Sequence, residues 1–313
     1  KLRITAGLRY DSLSYDYSDN MPGAPFDYTV NFNGTDKTKT YNRPTSSTVD
    51  FSHLSPKLGM TYSFTDRFNG FMSYRHAFRA PSEGQIFRPG ANLVSLDLDA
   101  VKVNSYEIGV RGEPDKSLNY ELSVYYMNKK DDLVSYDNGL GDRYTVNAGE
   151  TLHKGIELGI NSQFARDWSV GVSYSRSSHT YEDWVKNTTD YSGNDIESAP
   201  EALANMRIDF KPAIFNGGRA ELEWVHMGEY YMDPDNSVDA SNMTVYDGHN
   251  LLNIRMNYFL AKQFEVFARL LNVTDERYAT AAKYSPASGR SAAKSEFAPG
   301  MPRTLYAGVA YKI

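Results

Sequence analysis

Cysteine is absent from the 313 residues, so no disulfide staples the chain and no thiol serves as nucleophile or metal ligand. Long apolar runs are missing too. Mean hydropathy is -0.55, and no stretch approaches the ~20 consecutive apolar residues of a spanning helix. That excludes a helical membrane protein. There is no excess of positive charge: the formal net charge is -6, which argues against a nucleic-acid partner. No convincing segment of helical period is found. The chain opens on Lys1 directly in strand pattern (LRITAGLRY), with no initiator Met and no signal peptide, so it is expected to be a fragment of a longer protein.

What the chain does have is alternation. In the terminal stretch, Leu305, Ala307, Val309, Tyr311 and Ile313 share one face, while Thr304, Tyr306, Gly308, Ala310 and Lys312 share the other. Period two marks a strand between two different environments. The opening repeats the design: Leu2, Ile4, Ala6, Leu8 and Tyr10 alternate with Arg3, Thr5, Gly7, Arg9 and Asp11. About twelve such segments follow one another, several as long as the ~9–11 residues of a tilted membrane strand. The length would fit one large β domain or two ordinary domains.

The connections alternate short and long. The turns at 65–67, 113–117, 165–167, 212–218 and 260–263 are short; the segments 80–100, 135–143, 179–199, 233–245 and 274–301 are long or rich in loop residues. An outer-membrane barrel shows short turns at one rim and long loops at the other, whereas a sandwich scatters long connections over both ends. Aromatics agree. The chain holds 24 Tyr, and Phe64 with Phe68, Phe164 with Trp168, and Phe259 with Phe264 flank short turns, as an interfacial girdle would. The expectation is an all-β, antiparallel transmembrane β-barrel with the short turns periplasmic. Leu58, Met60, Leu122, Val124, Leu158, Ile254, Val266 and Val309 then face lipid. The charges of Lys57, Glu107, Arg111, Glu157 and Arg255 face a hydrated lumen, since mixed charges are unacceptable against hydrocarbon.

Four stretches carry a family resemblance: LSPKLGMTYSFTDRFNGFMSYRHAFRAPS (54–82), NSYEIGVRGE (104–113), LLNVTDERYAT (270–280) and the terminal FAPGMPRTLYAGVAYKI. In this order they make the chain resemble the TonB-dependent receptors of the Gram-negative outer membrane. The resemblance implies a barrel of about twenty-two strands around an N-terminal plug. Residues 1–313 would be the C-terminal portion of that barrel, without plug or TonB-contacting box. It implies energised uptake of a ferric siderophore, with haem, cobalamin, thiamin and other chelates as alternatives. The expected partners are the siderophore, the TonB complex through the missing N-terminal part, and outer-membrane lipid and lipopolysaccharide. No cofactor and no catalytic residue is expected. One departure is Ile313, where the family usually ends on an aromatic residue.

The candidate ligand-binding residues are Arg79, Tyr136, Trp184, Tyr231 and Tyr284. A ferric chelate is often aromatic or anionic, so stacking and guanidinium contacts suit it. Packing of the loops on themselves is the alternative role for such residues. A haem reading of FRAPS (78–82) is weakened because its usual second motif is only GANL (90–93) and no His lies between. The stretch DPDNSVD (233–239) lacks the glycine and terminal glutamate of a calcium loop. The six His show no outstanding catalytic spacing. A self-contained twelve-strand pore or outer-membrane hydrolase, and a soluble lectin-like β protein, are the competing classes.

Overall fold

The computed structural model describes residues 1–23, 25–32, 34–88, 94–137, 143–186, 189–215, 217–238, 243–261, 263–285 and 292–311. Twelve strands form one sheet: β1 Leu2–Tyr17, β2 Ser47–Thr65, β3 Phe68–Arg79, β4 Val101–Asp115, β5 Leu118–Asp137, β6 Arg143–Ala165, β7 Trp168–Asp183, β8 Ala202–Phe210, β9 Arg219–Met227, β10 His249–Ala261, β11 Phe264–Leu271 and β12 Thr304–Tyr311. Each is hydrogen-bonded, antiparallel, to its neighbours in sequence. Among the described residues no helix is long and apolar enough to cross a membrane. Among the described residues no ladder joins β1 to β12, so the sheet is an open wall. That counts against a self-contained twelve-strand barrel, which closes only through such a ladder.

The register tests the two faces. Ile4 lies opposite Met60, Met60 opposite Met72, Met72 opposite Ile108, and Ile108 opposite Val124. Further along, Ile208, Leu222, Ile254, Leu270 and Leu305 fall in one row. Most of these side chains are exposed, Ile108 to 62% and Leu305 to 69%, as expected for side chains that meet lipid rather than a core. The other face carries the predicted charges, and they answer one another. Arg255 reaches Glu221 at 2.5 Å and Glu223 at 2.7 Å, Arg219 reaches Asp209 at 3.3 Å, and Arg111 lies opposite Glu121.

At the short-turn rim the outward aromatics form a belt. Phe64 stacks on Phe68 at 5.0 Å and meets Tyr62 at 4.9 Å; Trp168 stacks on Phe210 at 4.3 Å, and Phe215 bridges Phe210 and Tyr258. One expected member is corrected. Phe259 falls opposite Glu265 in the lumen parity, so Tyr258 supplies the outward ring beside the last short turn. Phe259 keeps the parity of Arg255 and Asn257, and the bulge begins only after it, between Phe259 and Ala261; nearness to the turn, not alternation, made it a candidate for the girdle.

The long-loop end also departs from expectation. The stretch 135–143 reads as loop, yet β5 and β6 remain paired as far as Asp137 opposite Arg143. The ladder satisfies the backbone there, and the charges just below it are paired: Lys129 with Asp132, Lys130 with Glu150, and Lys102 with Asp131. The remaining long connections carry structure of their own. Hairpins occupy Phe26–Phe32 with Thr35–Tyr41, Tyr230–Tyr231 with Val245–Tyr246, and Ala279–Ser285 with Lys294–Pro299. A single helical turn, Glu83–Ile86, follows β3.

Candidate functional site

The long loops make an outer mouth above the lumen. FRAPS forms a joint there. Arg79 ends β3, Pro81 is fully buried, and Ser82 starts the helical turn, its amide donating to Gln85 Oε1 at 2.9 Å. The turn buries Ile86 and Phe87 with Leu98 and Val101, and the Phe87 ring stacks on Tyr17 at 4.8 Å. Arg79 itself stays 58% exposed but lies 3.6 Å from Asp132, which Lys129 also engages. Its charge is therefore partly answered within the wall.

The last three loops interlock. Tyr230, Met232, Tyr246, Ala279 and Ala282 share one buried cluster. The Tyr230 hydroxyl accepts from the Ala282 amide at 3.1 Å, and the Tyr246 hydroxyl accepts from the Ala279 amide at 3.0 Å. On the other flank the Asn236 side chain donates to Asp195 O at 2.9 Å, the Asn194 side chain to Pro234 O at 2.8 Å, and the Ser198 amide to Tyr231 O at 2.9 Å. Burial pushes the Asp195 and Asp233 carboxyls above the usual carboxylate range. At the exposed hairpin, hydrogen bonds from Lys294 and Lys283 hold Glu296 down to about 2.

The structure describes the side chains of four of the five sequence-predicted residues, and brings Tyr231 and Tyr284 to adjoining loops. Trp184 is 5% accessible, stacked between Tyr181 at 4.3 Å and Tyr191 at 4.6 Å, so it packs its own loop. Tyr284 is half-buried against the cluster of Tyr230 and Tyr246. Tyr231 is half-buried and lines a cavity of about 770 Å³ together with Tyr125, His179, Asp195, Tyr230 and Asp247. Arg79 does not line it. Tyr136 lies on β5 opposite Tyr144; its side chain is outside the described residues, as are Arg290, Ile313 and the GANL stretch 90–93. His76 sits in the row of Asn104, hydrogen-bonded to it at 2.8 Å. Asp233 caps its own turn, accepting from the Asp235 amide at 2.9 Å. Among the described residues no group of three or more His, Asp or Glu side chains encloses a metal.

Two features escaped the sequence reading. Four of the six His form cross-strand pairs: His53 with His76, and His153 with His179. Symmetry about a turn would have found the second pair, since each member stands twelve residues from the turn 165–167. The other is Asn272 of LLNVTDERYAT. It is fully buried at φ 51°, donating to Glu276 O at 2.9 Å and Met301 O at 3.0 Å. Gly300 belongs to the same knot: a Cβ there would lie 2.2 Å from the Tyr278 ring. The two terminal motifs thus fasten the root of the last loop to the start of β12.

Comparison with known proteins places this geometry. The family model described as TonB dependent receptor-like, beta-barrel matches residues 1–273. A probable TonB-dependent siderophore receptor, PiuA of Acinetobacter baumannii, is 25% identical over 93% of this chain and 38% of its own length. The vitamin B12 transporter BtuB of Vibrio vulnificus is 25% identical over 88% of this chain and 42% of its own. In fold, the ferric yersiniabactin uptake receptor FyuA of Yersinia pestis matches with TM-score 0.69 at 18% identity, over 99% of this chain and 43% of that one. The chain thus spans about two-fifths of the length of these relatives. Its lipid-facing rows, polar lumen face, short-turn girdle and long-loop mouth are those of a Gram-negative outer-membrane wall, and the chain belongs to the TonB-dependent receptor β-barrel family.

Proposed function

We propose that this chain is the C-terminal portion of the barrel of a receptor that binds a ferric siderophore at its extracellular mouth and imports it with energy from TonB. The observation that carries the reading is the match to a siderophore receptor across 93% of the chain. The complete protein then holds a plug inside about twenty-two strands. It is a transporter rather than an enzyme, and its partners are the chelate, the TonB complex and outer-membrane lipid. Arg79, Tyr231 and Tyr284 meet cargo from the wall and the interlocked loops, joined by Tyr136, while Trp184 holds its loop in shape from within.

Each exposed cation–π contact is worth ~0.5–1 kcal/mol and a desolvated one ~2 or more, so affinity is shared. Equilibrium binding of iron-loaded and iron-free siderophores to the complete receptor tests this. Arg79→Ala or Tyr231→Ala alone weakens binding modestly, and the double change weakens it clearly. A second reading, uptake of a corrinoid, is favoured by the match to BtuB. Growth of a deletion strain on a panel of iron sources separates the two: normal growth on every ferric siderophore, with loss of corrinoid uptake, would reverse the assignment.

A further inference from the structure

We propose that His153 and His179 form a two-imidazole site for a divalent copper ion on the lumen face of the outer mouth. The pair lies directly opposite across the β6–β7 ladder, in the parity of Glu157 and Ser175. Both side chains are half-buried. Their Nδ1 atoms stand 2.8 Å apart. That is the length of an N–H···N hydrogen bond between the metal-free rings, and an ion is reached when both rings turn their Nδ1 lone pairs to a common point. Of the divalent first-row ions, copper binds imidazole donors most tightly.

The surroundings set the ring nitrogens. His153 Nε2 is 3.1 Å from Thr151 Oγ1, and donation of its N–H to that hydroxyl leaves Nδ1 with a free lone pair. Without metal, His179 Nδ1–H donates to that lone pair. When the ion binds, this proton moves to His179 Nε2 through solvent and the freed Nδ1 pair goes to the metal, so neither ring changes charge. Asp195 faces His179 from the loop above, and the nearby Lys129 is engaged by Asp132. Both histidines sit on long paired strands, which hold ligands better than loops do. With only two protein donors, the remaining positions are open to water or to donors brought in by a chelate. The other pair, His53 with His76 at 2.7 Å, differs: His53 is stacked on Phe78 at 4.7 Å and His76 is fixed by Asn104.

The site is independent of the siderophore reading. The test uses the complete receptor in detergent micelles carrying His53→Ala and His76→Ala, so that one close pair remains. Titration with cupric chloride, followed by electron paramagnetic resonance, should give one ion per receptor with hyperfine coupling to two imidazole nitrogens. His179→Ala should abolish that spectrum, and Thr151→Val should raise the Kd about 10-fold or more. A two-nitrogen spectrum that is absent, or that survives His179→Ala, overturns the proposal; so does displacement of the copper by equimolar zinc. If His179→Ala does not assemble, Thr151→Val decides, and an unchanged Kd is the overturning result.

Discussion

At Asn272 one side chain does work that no apolar residue could take over. Its amide and carbonyl satisfy the Glu276 and Met301 carbonyls and the Glu276 amide, while its own backbone amide donates to Asn253 Oδ1 at 2.9 Å. The backbone adopts a left-handed conformation that asparagine tolerates better than most residues. Asn272→Ala removes the partner of three part-buried backbone groups, and the expected loss is about 1–3 kcal/mol in all, read by urea unfolding from lipid vesicles; no measurable loss would contradict the role. The motif around Asn272 was legible as a family mark, but its task was not. Its partner Met301 is 29 residues downstream, beyond the reach of any local period. The same limit hid His153 and His179, whose relation exists only across a hairpin.

The strands were the most legible elements, because alternation is written locally and the barrel obeys it nearly throughout. Two misreadings have identifiable causes. Toward the outer parts of β5 and β6 the apolar row is interrupted by Lys130, Asp132 and Glu150, so local alternation gives out although Val134 still lies opposite Val146. Phe259 was placed by its nearness to the turn, although alternation with Arg255 and Asn257 already put it on the lumen face. The assigned faces make a quantitative expectation. Met60→Arg and Leu122→Arg, both on exposed apolar rows, should each destabilise by about 2–4 kcal/mol near the bilayer midplane. Glu107→Ala on the lumen face loses a long contact to Arg75 at 4.0 Å and a long hydrogen bond from Ser73 Oγ at 3.4 Å and should cost less. Folding titrations in vesicles compare them, and equal costs on both faces would contradict the register.

For the whole molecule the two rims differ in kind: tight turns below, a built crown above. The expected orientation has the turns at 65–67, 113–117, 165–167 and 260–263 in the periplasm. Protease added to intact cells should cut within 18–46 or 272–303 and spare the short turns; cleavage confined to those turns would invert the orientation. Loop lengths were readable from the sequence, but the way the loops clasp one another was not, since those contacts follow no period. That clasp bears on how this surface changes over generations. The loops 184–201, 228–248 and 272–303 share the Tyr230–Ala282, Tyr246–Ala279 and Asn236–Asp195 bonds. A substitution selected by a phage or an antibody in one loop must keep its fit with the other two. Variants of this part of the mouth are therefore expected to change in the three loops together, while the hairpin at 26–41, which lies outside that clasp, is free to change alone.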